Sequence, residues 1–234
     1  MTHYSAKIRF GWLAGAIILL FATGIPVAWG LEPDVEVYGE GACTENNIDV
    51  YLYADINTSN LLSFGIKLTY DAGALTVAGA EKNAQVWYMG GVSTKYQYRD
   101  PDLSIPGEVL IVGGKIDTAD PLAGVSGQRI LLGKISFARK DAQPVPSLGI
   151  GYGRGGSYDN FVKANGSVLD WESVSFGTVT VRERGDANGD GVINVNDIRQ
   201  LKRIIGQSDL PCWVDCNGDG AVNVNDIRCL QRKI

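Results

Sequence analysis

Twelve residues near the C-terminus, DANGDGVINVND at 186–197, recur 29 positions later as DCNGDGAVNVND at 215–226. Both copies read D-x-N-x-D-G-x-[IV]-N-x-x-D. Oxygen-bearing side chains therefore fall at positions 1, 3, 5, 9 and 12, and glycine falls at 6. A hard cation gathers about six to eight oxygens, so a chain that binds one must wrap around it, turn alternate residues inward and bend sharply where positive φ is tolerated. The spacing is that of a calcium-binding loop. In the first copy the expected ligands are Asp186, Asn188, Asp190, the carbonyl of Val192 and Asp197, with Asn194 acting through water. In the second they are Asp215, Asn217, Asp219, the carbonyl of Ala221 and Asp226, with Asn223 through water. Two ions are expected, one per loop.

The elements that must hold these loops follow from periodicity. After the first loop, Ile198, Leu201 and Ile205 recur at helical spacing, and after the second Ile227, Leu230 and Ile234 do the same. No helix is expected before either loop. GTVTVRER, 177–184, has the pattern of a strand, and GQSDLPCW, 206–213, contains Pro and lacks periodicity. Each copy is half of an EF-hand, a loop with an exit helix only. One such half cannot bury its apolar stripe, but two packed face to face can.

This duplicated loop and helix resembles a dockerin domain over residues 184–234. Residues 186–205 and 215–234 share 14 identities in 20 positions, and Asp at position 12 is usual in that family. The resemblance implies calcium-dependent docking into a cohesin-type protein domain, and hence anchoring of a secreted protein to a scaffold. It places the partner-contacting residues at Val195, Asn196, Lys202 and Arg203 in the first copy and Val224, Asn225, Gln231 and Arg232 in the second. Cellulosomal dockerins of the best-known kind often carry Ser-Thr where this chain has Val-Asn, which leaves the partner's identity open.

The N-terminus has the layout of a signal peptide. Lys7 and Arg9 precede the apolar stretch 10–25, and small residues follow. Cleavage is expected after Gly30 with Ala28 at −3, with an uncleaved anchor as the alternative. The protein is thus expected to be secreted or held at the cell surface. Removing Lys7 and Arg9 takes the formal net charge from −5 to −7, which gives no electrostatic basis for binding nucleic acid or an anionic membrane. An oxidising compartment permits pairing among Cys43, Cys212, Cys216 and Cys229. Spacing cannot choose among the three complete connectivities, and free buried thiols are the further alternative. A Cys212–Cys229 bridge is expected, stabilising by about 3 kcal/mol through restriction of the unfolded chain. Cys216, at loop position 2 and pointing away from the ion, is the competing partner.

Between these ends, short runs rich in Val, Ile, Leu, Phe and Tyr recur between Gly, Asn and Asp. In SFGIKLTY, Phe64, Ile66, Leu68 and Tyr70 alternate with Ser63, Gly65, Lys67 and Thr69, the period of a half-buried strand. The expected fold is mainly β, a jelly-roll β-sandwich over 31–183 followed by a small α-helical calcium-binding module over 184–234, with the signal over 1–30. The stretches LLSFGIKLTYDAGALTVAGAEK, 61–82, and QRILLGKISFARK, 128–140, resemble a cohesin domain, and related carbohydrate-binding sandwiches share the layout. That resemblance implies either binding of dockerins or binding of polysaccharide. For the second, Trp87, Tyr88, Tyr96 and Tyr98 in the segment 83–107 offer a stacking platform, or else pack that segment against the sandwich.

Catalysis is not expected. The one histidine, His3, lies in the signal segment, which removes the commonest general base from the mature chain. GYGRGG, 151–156, lacks the strand–helix setting of a phosphate loop. A carboxylate pair of glycosidase type is the remaining route to an enzyme, but the acids concentrate in the loops and turns. The expectation is a secreted, non-catalytic, calcium-dependent assembly protein, with a dockerin-displayed carbohydrate-binding module as the alternative. Because the last strand meets Asp186 across the single residue Gly185, the C-terminal module is expected not to reach its own sandwich. Any pairing between the two would then join separate molecules head to tail.

Overall fold

The computed structural model describes residues 32–234 apart from 45, 89–100, 116–119, 121–122, 141–145 and 156–160. The expected signal segment, Tyr96 and Tyr98 lie outside the described residues. Every strand and helix named here belongs to the compact unit Pro33–Ile234.

The sandwich is organised by one long strand. β2, Asn47–Thr69, is flanked in its first half by β1, Val35–Cys43, and β5, Val125–Arg139. Its second half pairs instead with β4, Glu108–Gly114, β6, Gly149–Tyr152, and the short β7, Val162–Lys163. β3, Leu75–Lys82, extends the first set beyond β5, and β8, Val174–Glu183, closes it beside β1 in parallel. The order β3-β5-β2-β1-β8, continued through the far half of β2, curls one sheet over on itself. The mainly β, jelly-roll architecture expected from the sequence is the one observed.

Alternation explains why β2 can serve both layers. Ile48, Val50, Leu52, Ala54 and Ile56 point into the core, and Phe64, Ile66 and Leu68 continue the same face after the strand changes partners. Aromatic contacts fill the space between layers: Phe64 meets Trp87 edge-on at 4.8 Å, and Tyr70 lies 5.0 Å from Phe137. Trp87 is 1% exposed and donates its indole N–H to the Leu131 carbonyl, so it packs the sandwich and is not part of a surface platform.

The opposite face of the first layer is polar and aromatic. Tyr51, Tyr53, Asp49 and Asp55 of β2 stand beside Tyr38 and Glu40 of β1 and Arg129 and Lys134 of β5. Arg129 takes a left-handed backbone conformation, φ 54°, at a register break in β5, which is uncommon for a residue with a side chain. Its guanidinium binds both carboxylate oxygens of Glu40 and lies 4.3 Å from the Tyr53 ring.

Two helices follow the sandwich: α1, Val195–Ile204, and α2, Val224–Lys233. A single 3-10 turn, Cys212–Val214, precedes the second loop, so neither loop has an entering α-helix. Leu201, Leu230, Val214, Cys216 and Ala187 form a small separate core, with Ile193, Ile198, Ile205, Val222 and Ile227 packed around it. The expected face of α2 is corrected at its end. Ile234 is 59% exposed, because α2 stops at Lys233 and the last residue has left the buried stripe.

The module does reach its own sandwich, which corrects the expectation drawn from the short joint. Arg129 donates to the Leu210 carbonyl, and Arg184 donates to the Asp49 carboxylate of β2 at 2.6 Å. The segment preceding the second loop lies against β1 and β8. Shortness of the joint forces this contact. Gly185 turns the chain at φ 101° and donates its N–H to the Trp213 carbonyl, and a β-carbon there would come 2.7 Å from Leu230.

Candidate metal centre

The two loops are built by the same hydrogen bonds, displaced by 29 residues. In the first, the Asp197 carboxylate accepts from the backbone N–H groups of Asn188 and Asn194. In the second, Asp226 accepts from those of Asn217 and Asn223. Position 12 is therefore the third residue of each helix, where its carboxylate closes a capping box with the Asn at position 9. The position-1 carboxylates, Asp186 and Asp215, accept from Gly191 and Gly220 at position 6. Positions 3 and 5 are linked as well: Asn188 donates to Asp190, and Asn217 to Asp219, each at 2.8 Å. Asn194 and Asn223 donate to the carbonyls of Val192 and Ala221. All twelve sequence-expected ligand residues thus lie in two matching cradles.

Burial sets the charge problem of the cradles. Asp186, Asp197, Asp215 and Asp226 are all buried. A buried carboxylate is costly unless a cation or several donors compensate it. Asp186 Oδ1 has no hydrogen-bond partner among the described residues. Burial pushes the Asp226 carboxyl up from 3.8, the backbone N–H groups of Asn223 and Asn217 oppose this, and the neighbouring Asp215 carboxylate adds to it. Positions 1 and 12 of the second loop therefore sit together as like charges, an arrangement a divalent cation would relieve. Among the described residues, no group of three or more His, Cys, Asp or Glu gathers into a cage made of those types alone. What each loop offers is a mixed set of carboxylate, amide and carbonyl oxygens, the donor chemistry of calcium.

Two arginines missed in the sequence back the loops. Arg182 lies in β8 and Arg184 one residue past its end, two positions apart along the same run of chain. Arg182 donates to the Gly189 carbonyl in the first loop and lies 3.5 Å from the Asp186 carboxylate. Arg184 donates to the Asp215 carbonyl in the second loop at 3.2 Å and to Asp49 of the sandwich at 2.6 Å. The signal was present in RER, 182–184, separated from Asp186 by Gly185 alone, but its meaning depends on the strand pairing.

The disulfide joins Cys216 to Cys229, with Cα atoms 5.9 Å apart, and not Cys212 to Cys229 as expected. Position 2 of the loop faces α2 and the small core, which brings Cys216 onto the helix. Cys212 lies in the 3-10 turn on the sandwich side and is a free thiol, as is Cys43. Burial, with help from the Glu40 carboxylate, pushes the Cys212 thiol up to about 12.

The residues expected to touch a partner form the outer surface of the helices. Val195 is 50% and Val224 56% exposed, and Asn196, Lys202, Arg203, Asn225, Gln231 and Arg232 are exposed as well. The polar bonds between module and sandwich leave all eight free.

Residues 184–234 match the family model of the dockerin type I domain. No curated protein matches the chain. Among solved structures, the chain is similar to the seventh ScaB type I cohesin from Pseudobacteroides cellulosolvens, at 15% identity and TM-score 0.45, over 64% of this chain and 91% of that one. It is similar to a type I cohesin–dockerin complex from Clostridium thermocellum, at 13% identity and TM-score 0.46, over 65% and 96%. A non-cellulosomal cohesin from the archaeon Archaeoglobus fulgidus matches at 15% identity and TM-score 0.40, over 65% and 91%.

Proposed function

We propose that this chain is a secreted, non-catalytic assembly protein whose dockerin module, residues 184–234, docks into a cohesin-type domain when two calcium ions fill its loops. Residues 31–183 are its sandwich and 1–30 its export signal. Asp186, Asn188, Asp190, Val192, Asn194 and Asp197 hold one ion, and Asp215, Asn217, Asp219, Ala221, Asn223 and Asp226 the other. One observation carries the reading: two matching cradles with buried, under-compensated carboxylates lie within a segment that matches the dockerin family. Filling a cradle neutralises those charges and fixes the start of its helix, which orders the partner face. The duplicated faces, Val195-Asn196 with Lys202-Arg203 and Val224-Asn225 with Gln231-Arg232, allow docking in two orientations related by the internal repeat.

The test is capture of the full chain on an immobilised type I cohesin. Retention in millimolar calcium and release by chelator are expected. Val195→Asp or Val224→Asp alone should leave binding through the other face, and the double variant should abolish it. Retention that ignores the chelator would count against the reading. A parallel capture on insoluble polysaccharide examines the alternative role of the sandwich, and sedimentation in calcium examines head-to-tail association.

A further inference from the structure

The loops share most of their sequence and internal bonding, yet they differ in three ways. The second loop is stapled to its own helix by Cys216–Cys229, whereas the equivalent positions of the first are Ala187 and Gln200. A cross-link that holds a loop in place lowers the ordering cost of filling it. The arginines also differ in what neutralises them. Arg184 is paired with Asp49 at 2.6 Å and stands 4.0 Å from the Asp215 carboxylate. Arg182 has no sandwich carboxylate among the described residues; the acid it meets is Asp186 itself, and its guanidinium otherwise lies 5.6 Å from the Trp213 ring. Last, Asp215 Oδ1 accepts from the Gly218 N–H at 2.7 Å, while Asp186 Oδ1 is buried and unpartnered.

We propose that the two loops are unequal calcium sites: the second, Asp215–Asp226, is tight and fills first, and the first, Asp186–Asp197, is weaker because Arg182 places an uncompensated positive charge on its position-1 carboxylate. The sandwich thereby sets the calcium range over which the module completes itself. Asp49, a residue of β2 far away in sequence, tightens the second site by holding the Arg184 charge. Arg182 and Asp49 act on the ions through other residues and are positioning residues, not ligands. This rests on the two-ion reading above.

The experiment is a calorimetric calcium titration of the oxidised full chain, with Asp186→Ala and Asp215→Ala to assign the steps. Two steps are expected; Asp215→Ala should remove the tighter and Asp186→Ala the weaker. Arg182→Gln should tighten the weaker step by roughly threefold to tenfold and leave the other unchanged. Asp49→Asn should weaken the tighter step by a similar factor. Arg182→Lys, which keeps the charge, should keep the wild-type ratio and serves as the folded control. An Arg182 that merely supported the fold would give looser, not tighter, binding on removal. Two equal steps, or a looser first site in Arg182→Gln, would overturn the inequality while leaving the two-ion reading standing. An absence of calcium binding in the wild-type chain would remove both.

Discussion

The sandwich and the C-terminal module meet the same requirement, a buried interior, with opposite means. The sandwich encloses Phe64, Trp87, Phe137, Phe161 and a broad set of Ile, Leu and Val side chains, and nothing charged is needed at its centre. The module has Leu201, Leu230, Val214 and a few partly buried neighbours, and it buries four aspartates beside them. Area removed from water can hold the first together. The second has too little apolar area to hold two ten-residue helices in place, so it rests on a disulfide and on its contact with the sandwich, and under the proposed function on ions as well. A small module that depends on external supports can be switched by them, whereas a large apolar core cannot.

The most direct way to sharpen this contrast is to remove calcium. Chelation should cost most of the helical circular-dichroism signal of the module while the β signal of the sandwich persists, because only the module loses binding energy with the ion. Equal spectra with and without chelator would erase the distinction. Next in size is a cavity in the sandwich. Phe64→Ala removes the partner of Trp87 and should cost about 3–5 kcal/mol in denaturant unfolding of the sandwich. The calcium dependence of the helices should survive it.

The staple comes third. Cys216→Ser should lower the stability of the calcium-loaded module by about 3 kcal/mol, given the short loop it closes. Thermal melts with and without reductant check this, since reductant should reproduce the variant in the wild type and do nothing further to it. The smallest effect concerns the contact between the two regions. Arg129→Ala leaves Glu40 buried without its cation and frees the Leu210 carbonyl, at a cost of about 2 kcal/mol. Cys212 reports on that contact. Its thiol is raised from 9.0 to about 12, so the folded state keeps the proton, and this contribution to stability holds below pH 9 and is lost as pH climbs toward 12. Iodoacetamide at pH 8 should therefore label Cys212 slowly in the wild type and faster in Arg129→Ala. Identical rates would mean that Arg129 does not hold the module down.

Much of this was readable in the chain itself. The two loop cradles, the missing entering helices, the apolar faces of α1 and α2 and the alternation of β2 depend on spacing within a dozen residues, and local periodicity carries such information directly. The glycan platform was ambiguous because Trp87 has the composition of a stacking surface, and only the edge-on Phe64 and the Leu131 carbonyl show it to be core. Sequence determined what each loop is. Tertiary structure alone decided what the loops are next to: Cys216 and not Cys212 on the helix, the module folded back onto its own sandwich, and Arg182 and Arg184 set against two closely similar loops with different compensating charges. Those outcomes depend on side chains brought together from far along the chain, such as Asp49 with Arg184 and Glu40 with Arg129. No local pattern encodes such pairs, because the distances are set by strand pairing across the whole sheet.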